Sequence, residues 1–68
     1  MQLSIECERE EDGRWIAEIV QIPGAMAHGA TRDEAIARAE IVALRTLADQ
    51  IEHCEAKPVD ISISLAAA

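Results

Sequence analysis

Side chains able to do chemistry are concentrated near the start of the chain. Glu6, Glu8, Glu10, Glu11 and Asp12 fall within seven positions, and Glu18 follows shortly after. Carboxylates in such numbers have two main uses. They can ligate divalent cations in a two-metal phosphodiesterase, where several must converge on ions about 4 Å apart. They can also present a negative surface that steers a basic partner, speeding encounter more than it tightens binding. The spacing favours the second use. Glu6 and Glu8 alternate with apolar residues, as does Glu18 in the following segment, so these three read as the wet face of a strand pair. The other acids occupy a turn, and no further residues complete a catalytic set.

The remaining reactive residues point the same way. His28 has no Ser, Cys or Asp at a spacing that marks a triad. His53 and Cys54 are neighbours in sequence, and a histidine near a helix C-terminus is accounted for by the helix dipole. Cys7 and Cys54 belong to no Cys-x-x-Cys motif and are expected to be free structural thiols in a reducing cytoplasm. The glycines form neither a dinucleotide fingerprint nor a phosphate-binding loop. No catalytic residue, metal site or cofactor is therefore expected, and the chain reads as a binding protein rather than an enzyme.

Composition narrows this further. Thirteen acids against six bases give a net charge of −7, which argues against binding a phosphate backbone, since such binding runs on Lys and Arg. No run of about 18 apolar residues is present to span a membrane, and no secretory leader pattern opens the chain, so a cytoplasmic location is expected. Half of the residues are apolar, but Trp15 is the sole aromatic, so the core must be built from Ile, Leu, Val and Ala. Sixty-eight residues make one domain. A chain of that size buries only about 60% of the surface its unfolded form exposes, a condition that favours self-association.

The elements that must position these residues follow from periodicity. Leu3, Ile5 and Cys7 alternate with Gln2, Ser4, Glu6 and Glu8, giving a first strand over residues 2–8. Asp12-Gly13 is a hairpin signal. The returning strand, about 14–22, places Trp15, Ala17 and Ile19 on one face and Ile16, Glu18 and Val20 on the other. Trp15 is expected to pack on the core side; exposed, it would be the strongest single anchor at an interface. Pro23-Gly24 breaks the strand, and a short third strand covers about 25–28. Thr31-Arg32-Asp33-Glu34 is a capping box opening a helix to about His53. Its apolar stripe is expected to be Ile36, Ala39, Ala43, Leu44, Leu47 and Ile51, with Glu40 inside the arc and Ile41 and Val42 on its flanks. Alternation over Val59 to Leu65 makes a fourth strand.

This order predicts an α+β, two-layer β-β-β-α-β domain. Its sheet is ordered 3-2-1-4, with one helix covering one face and none on the other. The fourth strand is left as an open edge. Ile41, Val42, Ile61 and Ile63 are the expected contacts of a homodimer or higher assembly.

Three segments in register resemble the HicB-like antitoxin family: Glu11-Asp12-Gly13-Arg14-Trp15-Ile16-Ala17-Glu18-Ile19, then Ile22-Pro23-Gly24-Ala25, then Ala27-His28-Gly29-Ala30-Thr31-Arg32-Asp33-Glu34-Ala35. The family pattern is a D-G turn, an aromatic, an x-A-E strand, L/I-P-G-C/A, and A-x-G-x-T-x-x-E-A leading into a long helix. Ala25 stands where Cys is frequent, and Ala30 where an acid is common. The resemblance implies a partial, degenerate RNase H-like fold. It also implies an antitoxin that binds and neutralises a small basic HicA-type toxin, an mRNA-cleaving ribonuclease, by occlusion. Glu6, Glu8, Glu10, Glu11, Asp12, Trp15 and Glu18 are the expected partner-binding residues. Many members carry an operator-binding segment after this unit; it is expected to be missing here, so direct DNA binding by this chain alone is not expected. An orphan oligomeric interaction module without a toxin is the second reading, and a metal-dependent nuclease the third.

Overall fold

The computed structural model describes residues 2–53 and 62–65. Strands β1 (Gln2–Arg9), β2 (Trp15–Ile19) and β3 (Met26–Gly29) precede helix α1 (Arg32–His53), and strand β4 (Ser62–Leu65) follows it. The four strands form one sheet ordered β3-β2-β1-β4. β1 pairs antiparallel with β2, and β2 with β3. β4 lies parallel to β1, with Leu3 opposite Ile63 and Ile5 opposite Leu65. α1 packs across β3, β2 and β1 on one side of the sheet. The class is α+β.

Two turns set the strand lengths. At the first, the Gly13 amide donates to the Glu10 carbonyl (3.0 Å) and the Glu10 amide to the Arg14 carbonyl (2.7 Å), with Gly13 at φ 90°. At the second, the Ala25 amide donates to the Ile22 carbonyl (3.1 Å), and Gly24 has φ 83°. Pro at the second position and a positive-φ Gly at the third are what a type II turn requires. This turn begins earlier than alternation suggests. The Ile22 amide already folds back to the Ile19 carbonyl (3.1 Å), so β2 ends at Ile19 rather than Ile22. β3 accordingly starts at Met26 rather than Ala25. The expected fourth strand is described from Ser62 onward; Val59 to Ile61 lie outside the described residues.

The core is formed by Leu3, Ile5, Ala17 and Ile19 from the sheet, Ile22 and Ala25 from the turn, and Ala35, Ala39, Ala43 and Leu47 from the helix. Cys7, Trp15, Ala27, Ile36 and Val42 pack against it from its margins. The helix face differs from the one its large residues suggest. Its buried row follows i, i+4 spacing through three alanines to Leu47, while Ile41 and Leu44 are each 48% exposed. Val42, expected off the core as an oligomer contact, is instead half-buried against it.

The physical reason lies at the helix start. A Cβ built on Gly29 would sit 2.5 Å from the Ala35 backbone nitrogen and 3.0 Å from its Cα. The first turn of α1 is thus pressed onto the end of β3 with only Ala30 and Thr31 between the two elements. Facing Ala35 inward commits the row at +4, +8 and +12 to the sheet and turns Ile41 and Leu44 outward.

Local bonds hold that junction. The Thr31 hydroxyl accepts the Glu34 amide (3.1 Å), as a capping box requires. The Glu34 carboxylate takes the Ala30 amide (3.4 Å) rather than that of Thr31, and it also meets Arg38 Nη2 at 2.9 Å. Arg38 Nη1 donates to the His28 carbonyl (3.1 Å), tying the helix to β3 a second time. Gly29→Ala is expected to lower the unfolding free energy by about 1–3 kcal/mol, because the obstacle is backbone and not a flexible side chain. Urea unfolding measures it; a loss under about 0.5 kcal/mol, the range of neutral surface changes, would show that the helix moves off freely.

Candidate functional site: the helix-free sheet face

Residues directly opposite each other in a sheet share a face. The pairing register therefore builds two rows on the side away from α1. One runs Glu8, Ile16, His28; the other runs Glu6, Glu18, Met26. Beyond them Val20 donates its amide to the Ser4 carbonyl (3.1 Å). Gln21 bridges to Ser4 through both ends of its amide, accepting from the backbone (2.8 Å) and donating to the hydroxyl (3.2 Å).

The face combines two kinds of surface. Val20 and Met26 are 49% and 46% exposed, and Ile16 lies half-buried between them and the acids. Glu6 stands directly opposite Glu18, a like-charge pair that costs a few tenths of a kcal/mol and up to about 1 relative to neutral residues. Among the described residues, Glu6, Glu8, Glu11 and Glu18 have no ion-pair partner, and all four are exposed.

The other two acids of the cluster are engaged. Asp12 accepts the Arg14 amide (3.0 Å) and the Arg14 Nε (2.8 Å). The Arg14 backbone N–H first, then its guanidinium, hold the Asp12 carboxyl below the ordinary aspartate value. Glu10 Oε1 is shielded from solvent and sits 2.8 Å from His28 Nε2, off the line of a well-formed hydrogen bond. That contact joins the hairpin to the end of β3. Asp12 and Glu10 thus shape the hairpin, while Glu11 projects from its tip.

Trp15 does not join the acids. It lies opposite Arg9 and Gly29, on the same side as Ala17 and Ile19, half-buried against the core. The apolar members of the open face were missed as site residues. Alternation with Glu18 places Ile16 and Val20 there; Met26 is found only through its pairing with Glu18. Of the expected assembly residues, Ile41 is exposed on α1, Val42 is on the core margin, and Ile63 pairs with the buried Leu3. Ile61 lies outside the described residues.

Among the described residues, no group of three or more His, Cys, Asp or Glu side chains comes together to hold a metal ion. Cys7 is a half-buried free thiol beside the core, and Cys54 lies outside the described residues. His53 Nδ1 contacts the Asp49 carbonyl (2.8 Å) and carboxylate (3.1 Å) on the exposed last turn of α1. No helix among the described residues is long and apolar enough to cross a membrane.

Because the Asp12 pKa is lowered by folding, its contribution to stability is present above the ordinary aspartate pKa. It is lost as pH falls through the lowered folded-state value. Asp12→Ala is therefore expected to melt slightly below the parent chain at neutral pH, with the gap closing on acidification; a gap independent of pH would reject the clamp. No family model, curated protein or solved structure matches the chain.

Proposed function

We propose that this chain is a HicB-like antitoxin module that neutralises a small basic HicA-type ribonuclease by covering its catalytic surface with the helix-free sheet face. The observation that carries the reading is the composition of that face: exposed Val20 and Met26 beside Ile16, bordered by the unpaired carboxylates of Glu6, Glu8 and Glu18. The acids steer a cationic partner into contact, and the apolar residues supply area that becomes buried on docking. The opposed Glu6 and Glu18 cost stability in the free protein and lose that cost when a cation is placed between them. Departures of this kind from local stability are expected at functional surfaces.

The order of elements and the β3-β2-β1-β4 sheet are compatible with a partial RNase H-like unit. In this reading the residual sheet keeps its shape for recognition and has no catalytic role. The toxin's own basic surface, which grips RNA, is the natural complement of the carboxylate rows. Occlusion then needs no chemistry from the antitoxin.

The exposed Ile41 and Leu44 on α1 favour a second reading, an oligomeric interaction module without a toxin. The neighbouring reading frame separates the two. A short basic chain whose growth arrest is rescued by co-expression, and which co-purifies, supports the antitoxin; failure to rescue or to co-purify leaves the second reading. Within the first, the triple variant Glu6→Lys, Glu8→Lys, Glu18→Lys is expected to slow toxin association by about tenfold or more at low salt and to flatten its salt dependence. Stopped-flow or surface-based kinetics measure both, and an unchanged association rate would move the contact region elsewhere.

A further inference from the structure

We propose that α1 is a self-association helix that pairs in parallel with α1 of a second copy of this chain. Core burial uses the row Ala35, Ala39, Ala43 and Leu47. A second apolar row runs along the outer side of the same helix: Ala37, Ile41, Leu44, Ala48 and Ile51. The first four are exposed and Ile51 is half-buried. Their spacing of 4, 3, 4 and 3 is the a/d seam of a coiled coil. Ile41 and Ala48 take the a positions, and Ala37, Leu44 and Ile51 the d positions. Within a parallel coiled coil, a β-branched residue at a with Leu at d, as in Ile41 and Leu44, favours two strands.

The charges beside the seam identify the occupant. With Ile41 at a, Asp33, Glu40 and the core residue Leu47 fall at g, and Arg38, Arg45 and Glu52 fall at e. In a parallel pair each g residue meets the e residue five positions later on the partner helix. That rule joins Glu40 to the second copy's position 45 and Asp33 to its position 38, an acid with a base each time. An antiparallel pair would set e beside e and g beside g, which brings arginines together at 38 and 45 or at 45 and 45 and removes the Glu40–Arg45 contact. Among the described residues, neither Glu40 nor Arg45 has an ion pair in its own chain. Arg38 is already held by Glu34 and the His28 carbonyl, so the Glu40–Arg45 contacts carry the orientation.

Paired this way, the helices lie between two outward-facing sheets. Both carboxylate faces stay open on opposite sides of the dimer. This inference does not rest on the antitoxin reading, since a chain without a toxin would pair identically.

Sedimentation equilibrium of the 68-residue chain alone, at micromolar concentration, is expected to give twice the 7.4 kDa chain mass. Leu44→Glu and, independently, Ala48→Glu should return the single-chain mass while the helical circular dichroism is kept, because neither residue belongs to the core. Glu40→Arg and Arg45→Glu should each weaken association several-fold, and the double variant should restore it. A single-chain mass for the parent, or a dimer that persists in both seam variants, would overturn the proposal; single charge reversals without effect would overturn its parallel orientation.

Discussion

The approach of α1 to the end of β3 governs much of what the molecule presents to its surroundings. Gly29 leaves no room for a Cβ beside the Ala35 backbone, and the connection between strand and helix is only two residues long. A helix docked that closely must begin with a small residue facing inward. The i+4 row that follows is then small as well, until Leu47. The Thr31 cap, the Glu34 carboxylate and the Arg38 bond to the His28 carbonyl all act on this one junction.

A helix that buries alanines contributes little apolar area per residue. At about 25 cal/mol per Å², most of the hydrophobic stabilisation comes instead from Leu3, Ile5, Ile19 and Ile22, with Leu47 the one large contribution from the fully buried row of the helix. The aliphatic side chains that would have strengthened the core sit outside it, on the far side of α1. Among the described residues, α1 is the one helix and packs on one side, so the other face of the sheet has no helix over it. Two apolar surfaces, one on each side of the domain, result: the outer side of α1 from how the helix is seated, and the sheet face from the single layer of cover. They differ in charge: the sheet face carries unpaired acids and no Lys or Arg in its rows, whereas acids and arginines lie on either side of the helix seam.

The hairpin shows how a cluster of like charges divides its roles. Asp12 holds Arg14, and Glu10 meets His28, so these two acids shape the turn and dock it on β3. Glu6, Glu8, Glu11 and Glu18 are left with exposed carboxylates. The negative charge of the cluster is therefore partly structural and partly available, and only the second part can steer a partner.

Much of the architecture was legible in the residues. Alternation marked the strands, Asp12-Gly13 and Pro23-Gly24 marked the turns, and Thr31 to Glu34 marked the helix start, because each depends on neighbours within a few positions. The same locality assigned Trp15 and Glu18 to opposite sides of β2. Helix rotation was legible only in part: Ala39, Ala43 and Leu47 were expected in the core and are buried there, but the edges of the stripe were misplaced. Periodicity weights large apolar residues, so it drew Leu44 into the core stripe and left Val42 out, whereas the close contact at Gly29 selects the alanine row and reverses both. Across the β1–β2 hairpin the pairing of Glu6 with Glu18 was legible, but other neighbours were not: Met26 joins Glu18, and His28 meets Glu10, only once the register and the turn geometry are set. The sequence by itself determined which segments become strands, turns and helix, since those preferences are local. The tertiary structure alone decided where the buried side of the helix begins and ends, taking in Ala35 and leaving out Leu44, because that depends on how near two backbones can come.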